Sequence, residues 1–156
     1  MNIIKGLLLA IGGAILGIVL WFAVIFIIGG GTGGAVGGLF ASFIGILIAA
    51  AYKKGSGRAG FIGFLVVIVF VIASVFTAIT VGTAAILYNG GMGYDLLDSM
   101  DILMDLLETD NNFSDAFAGD FLVSTGIALG MGIITLLSGN KKKGVQAKQN
   151  EESGEI

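Results

Sequence analysis

Two stretches carry residue types at spacings that could do chemistry. Gly55-Ser56-Gly57-Arg58-Ala59-Gly60 fits G-x-G-x-x-G, the pattern whose glycines let a pyrophosphate approach the backbone where a strand turns into a helix. Such a site needs a buried strand before it, an amphipathic helix after it, and an acid about 20 positions on for the ribose. Here a long apolar run lies on each side, position 80 is Thr80, and the first acid downstream is Asp95. The motif is therefore read as a flexible hairpin, with Lys53, Lys54 and Arg58 fixing topology and touching lipid phosphates.

The second stretch is DNNFSDAFAGDF, Asp110 to Phe121. Asp110, Asn112 and Ser114 match positions one, three and five of a calcium loop, but Asp115 stands where the turn needs glycine and Phe121 where the loop needs a bidentate Glu. A calcium loop is excluded. Ser114 or Asp115 is expected to cap a helix that leads into the last apolar run. Asn112-Phe113-Ser114 is an acceptor sequon only in a cell that glycosylates. The chain has no Cys and no His, which removes disulfides, thiol chemistry, Cys or His metal sites and imidazole catalysis. No base, nucleophile or metal cluster is arranged to face a cleft, so an enzyme is the least expected class and no cofactor is expected.

The elements that would have to position these residues are apolar. Hydrophobic residues are 56% and charged residues 12% of the 156, and the mean hydropathy is +0.99, against about 25% charged residues in ordinary soluble domains. No charge occurs over 6–52, 59–94 or 121–140. The first of these runs would make a helical rod of roughly 70 Å, more than twice one bilayer crossing. It must turn, and Gly29–Gly38, seven of whose ten residues are glycine, is where helix is poorest.

The spacing predicts an all-α chain: a transmembrane four-helix bundle with spans at about 4–28, 35–52, 59–88 and 121–138, and an external amphipathic helical insert over 89–120. Residues 1–139 form the membrane domain, and 140–156 a disordered cytosolic tail. The first span resembles a signal peptide, with Lys5 ahead of an apolar run, but is too long and lacks a cleavage site, so it is read as retained. In the third span the Val- and Ile-rich centre is assigned to helix on length.

Lys5, Lys53, Lys54, Arg58, Lys141, Lys142, Lys143 and Lys148 are all the basic residues. Even-numbered crossings place them on one side, which the positive-inside rule makes the cytosol, with both termini. That side sums to +5 and the outer side to −8. Tyr52, Tyr88 and Tyr94 fall at the interfaces. Tyr94–Glu108 is amphipathic: Asp95, Asp98, Asp101, Asp105 and Glu108 share an arc of about 140°, opposite Leu96, Leu97, Met100, Leu103, Met104, Leu106 and Leu107, with Ile102 the misfit. Its apolar face is expected to pack on the outer ends of the spans, acids to water.

Glycine spacing supplies candidate packing faces. Gly13/Gly17, Gly30/Gly34/Gly38, Ala41/Gly45/Ala49 and Gly126/Gly130 let helix backbones approach closely, within the bundle or between two copies. Ser74, Thr77, Thr80 and Thr83 recur every three residues, a spiral that either bonds to its own helix and neighbours or lines a pathway with Ser42, Ser124, Thr125 or Thr135. Apart from Lys5 at the very start of the first, the spans hold no Asp, Glu, Lys or Arg, the residues that mark proton relays and ion pathways.

At Ala51-Tyr52-Lys53-Lys54-Gly55, closing a glycine-spaced hairpin ahead of the Ile/Val-rich third span, the chain resembles small uncharacterised four-span membrane proteins of Gram-positive bacteria, over roughly Gly12 to Tyr88. The resemblance implies a bacterial cytoplasmic membrane and transfers no activity. The leading functional expectation is a non-enzymatic interaction or scaffold protein. A subunit of an oligomeric channel or exporter, and an immunity-type protein against a cationic membrane-active peptide, are the alternatives. Expected partners are the lipid bilayer, a second copy or another membrane protein, and a cationic peptide outside. Nucleic acid is not among them.

Overall fold

In lipid a backbone N–H or C=O has no water to bond, so a spanning segment must close its hydrogen bonds internally, and this overrides the strand preference of Val and Ile. The structure, a computed structural model, describes residues 2–28, 35–57, 60–91 and 95–138, with side chains 25–28 and 35–39 left aside. Among the described residues five helices follow one another: α1 (Ile3–Ile28), α2 (Ala35–Ser56), α3 (Phe61–Asn89), α4 (Leu96–Thr109) and α5 (Asn111–Leu137). Among the described residues there is no strand. Gly30, Gly34, Arg58, Tyr94, Lys141, Lys142, Lys143 and the tail lie outside the described residues.

Among the described residues three helices are long and apolar enough to cross a membrane: Ile3–Val24, Phe61–Asn89 and Asn111–Leu137. The sequence leads one to expect a fourth in α2. Its described side chains run only from Phe40 to Ser56 and close on Lys53 and Lys54.

Helix ends follow local chemistry. Asn2 accepts the Lys5 N–H at 3.1 Å and opens α1. Gly57, at φ 75°, ends α2, its N–H bonded to the Lys53 carbonyl at 3.0 Å, and Gly60 is the N-cap of α3. The glycine motif is thus one helix stop and one helix start, with a helix where a dinucleotide site needs a strand. Gly90 is the C-cap of α3, and Gly91 follows it at φ 76°, its N–H bonded to the Tyr88 carbonyl at 3.0 Å.

The last span begins earlier than its hydropathy implies. Asp110 serves as C-cap of α4 and N-cap of α5, its carboxylate accepting from the N–H groups of Asn112 and Phe113 at 3.0 and 3.2 Å. Neither Ser114 nor Asp115 caps this helix; both lie within it. Asp110 already satisfies the first free N–H groups one turn earlier, and the helix runs on through both residues.

α2 is the central element, packed on α1 along one flank and α5 along the other, with α3 across all three and α4 on α3 and α5. The interior is built from small and β-branched side chains: Ala10, Ala14, Ala41, Ala49, Ala78 and Ala128 with Ile44, Ile48, Val67, Val71 and Val75. The large apolar residues Ile15, Leu16, Val19, Val69, Phe76, Leu122, Val123 and Ile134 are exposed. A surface this apolar is untenable in water and ordinary in lipid, where helices associate through close packing of small residues.

Candidate functional site

The glycines that bring helices together are only partly those the spacing singles out. A methyl in place of hydrogen at Gly13 would sit 2.8 Å from the Leu47 carbonyl oxygen, and at Gly17 3.1 Å from the Ile44 side chain, which fixes α1 against α2. At Gly45 it would run into the Ala128 carbonyl oxygen of α5. Ala41 and Ala49 share that buried face of α2.

Gly126 and Gly130 differ. A side chain there would meet nothing within 4 Å, because both lie on the face of α5 turned away from the other helices. The packing glycine of α5 is Gly132, against Val67 and the Gly45 carbonyl. Gly126/Gly130 and Ala128/Gly132 have the same four-residue spacing, and only the register of α5 on α2 separates them. Gly38 lies in α2 among the side chains left aside.

One end of the bundle closes on residues with no such signal. Tyr52 is buried between Gly6 of α1 and Gly63 of α3, and Gly55 lies against the backbone of Lys5 and Gly6. Lys5, Lys53 and Lys54 consequently share one end. Lys53 is half-buried and its Nζ donates to the carbonyl oxygens of Thr135 and Leu136, each at 3.3 Å, covering acceptors that the last turn of α5 leaves open.

The hydroxyl spiral does not form one face. Ser74 and Thr80 are buried and Thr83 half-buried, whereas Thr77 is exposed and its Oγ1 donates to the Ala73 carbonyl at 2.9 Å. A three-residue repeat drifts about 60° per step, so the four hydroxyls are spread over about half of the helix circumference. Thr135 also bonds back, to Met131 at 2.8 Å. Ser124 and Thr125 are buried and Ser42 half-buried. The Oγ1 atoms of Thr80 and Thr125 and Nε1 of Trp21 are buried without a hydrogen-bond partner. An apolar cleft of about 200 Å³ between α1 and α2 is lined by Gly17, Leu20, Trp21, Val24, Phe40 and Phe43.

At the other end stands α4. Asp95 caps it, accepting the Asp98 N–H at 2.8 Å, and Ser99 Oγ donates to the Asp95 carbonyl at 2.8 Å. Ser99 and Leu103 are buried, while Met100, Ile102, Leu106 and Leu107 are half-buried. The apolar face expected to pack inward is therefore split. Leu97 is 74% and Met104 54% exposed, with Leu96 beside them. Packing centres on Ser99 and Leu103, about 120° round the helix from Leu97 and Met104. Ile102, the misfit by pattern, is partly covered. Asp101, Asp105 and Glu108 face outward and Asp98 is half-buried. Among the described residues no three acidic side chains converge to hold a metal ion.

Fold and surfaces together define a chain whose described residues are helical, three of the described helices being long and apolar enough to cross a membrane, with a short acidic helix at one end. No family model matches the chain, and no curated protein or solved structure matches it.

Proposed function

We propose that the chain is a four-span protein of a bacterial cytoplasmic membrane, both termini cytosolic, that works as a non-enzymatic interaction protein through α4 on the outer side. The observation that carries the reading is the exposure of Leu97 and Met104 on a helix otherwise anchored to the bundle by Leu103. Large apolar side chains left uncovered outside the spans have the character of a contact surface.

Topology is supported by the gathering of Lys5, Lys53 and Lys54 at one end, where Gly55 meets Gly6, while Asp101, Asp105 and Glu108 stand on α4. The fourth crossing is supported by α2, which packs along both α1 and α5. A channel has less support, because the hydroxyls of α3 are spread over several faces.

The test uses the absence of cysteine in the natural sequence, which makes any introduced thiol unique. Asp101→Cys should react with a membrane-impermeant maleimide in intact cells and Lys54→Cys only after permeabilisation; the reverse pattern refutes the topology. A photo-crosslinking amino acid at position 97 should give a discrete adduct in cells that is lost from position 115 on α5. Equal labelling at both positions, or none at 97, refutes the contact role.

A further inference from the structure

The exposed side of α4 has an order beyond its acidity. Leu97, Asp101, Met104 and Glu108 follow one another at spacings of four, three and four residues, and all four are exposed. They form one straight stripe of alternating apolar and acidic side chains, with the two apolar members about 10 Å apart. Asp105 and the half-buried Asp98 run along one border and Leu96 lies on the other. Residues 89–120 contain eight acids and no base, so none of these carboxylates meets a cation from its own segment.

Charge decides what can cover such a stripe. A second copy would set two acidic rows against each other, and like charges at close range oppose that pairing. An anionic lipid surface is repelled for the same reason. A wholly apolar protein face would bury Leu97 and Met104 but strip water from Asp101 and Glu108 without compensation. A helix with apolar residues at seven-residue spacing, flanked by Lys or Arg, satisfies both halves of the stripe.

We infer that the outward stripe of α4 docks a cationic amphipathic helix, whose apolar residues cover Leu97 and Met104 and whose Lys or Arg side chains meet Asp101, Asp105 and Glu108. The inference rests on α4 being the contact surface. The apolar pair anchors the partner, and the acids speed its approach and set its register.

The full-length protein in phosphatidylcholine nanodiscs is titrated into a fluorescent Leu/Lys peptide with a seven-residue apolar repeat. Binding is read by anisotropy. The protein should bind, and affinity should fall as salt rises. Leu97→Gln with Met104→Gln, and separately Asp101→Asn with Asp105→Asn and Glu108→Gln, should each weaken binding at least about tenfold, roughly 1.4 kcal/mol, with helix content unchanged by circular dichroism. Asp115→Asn, on α5, should change nothing.

Undiminished binding by the acid-neutralised variant overturns the inference. So does undiminished binding by the Leu97/Met104 variant, equal binding of a peptide of the same composition with its apolar residues scattered, or equal binding to empty nanodiscs. An adduct from position 97 in cells that joins a segment without basic residues leaves α4 as the contact surface and overturns the cationic helix. Peptide binding with no adduct in cells overturns the contact role and leaves the surface chemistry standing.

Discussion

The ring of Tyr52 lies so close over Gly63 that a methyl there would be 2.6 Å from the ring carbon Cε1. The ring is 1% exposed and meets Gly6 on its other edge, so it has nowhere to move. Gly63→Ala should therefore cost about 1–3 kcal/mol, the range for forcing an extra carbon into a packed interior. It should lower the detergent melting temperature, and Gly63→Ala combined with Tyr52→Leu should recover part of the loss. A single Gly63→Ala protein as stable as the natural one would contradict the three-helix lock.

Gly45 and Gly130 make a matched pair for a second test. A side chain at Gly45 strikes the main chain of α5, which can yield only if the two helices separate. At Gly130 it meets open space, and the change from glycine to alanine favours helix by about 1 kcal/mol. Gly45→Ala should destabilise the protein strongly, while Gly130→Ala and Gly126→Ala should be neutral or slightly stabilising in a dilute detergent unfolding assay. Comparable losses at all three would mean that α5 packs by its other face.

Lys53 and Lys54 are neighbours with the same charge and different work. Only Lys53 donates to the terminal carbonyls of α5, and a charge-assisted hydrogen bond contributes about 1.5–3 kcal/mol. Lys53→Gln should lower thermal stability measurably, and Lys54→Gln much less. Labelling of Asp101→Cys in intact cells should survive either change, because one of several basic residues is insufficient to reverse the threading.

Asp110 ends one helix and begins the next. Asp110→Ala should cost about 1 kcal/mol through loss of the cap, whereas Asp110→Asn keeps an acceptor for the N–H groups of Asn112 and Phe113 and should cost less. Hydrogen exchange in the first turn of α5 is the sensitive measurement. Unchanged protection in Asp110→Ala would place the cap elsewhere.

Thr77 and Thr83 separate a lipid-facing hydroxyl from a partly enclosed one. Thr77 is exposed beside the exposed Phe76, and its hydroxyl donates to its own helix. A cysteine there should stay silent to a charged thiol reagent, since lipid excludes the thiolate that reacts. Rapid labelling of Thr77→Cys from outside would demand a water-filled route along α3.

The amino-acid sequence by itself determined the solvent and the helices. Charge-free runs of spanning length force intrahelical hydrogen bonding, and among the described residues the positive-φ glycines, Gly57 and Gly91, fall between the first two runs and just before the end of the second. The confinement of every acid but three to 89–120 was equally legible. The tertiary structure decided which small residues meet. Gly126/Gly130 and Ala128/Gly132 are indistinguishable by spacing, and only the seating of α5 on Gly45 buries the second pair and turns out the first. It also decided that Leu103 anchors α4 while Leu97 and Met104 stay uncovered. The physical reason is that the acids occupy an arc of about 140° and the apolar remainder of the helix is wider than the strip one neighbouring helix can cover. Where within that remainder the contact falls depends on how α3 and α5 are placed, which is settled by residues distant in the chain.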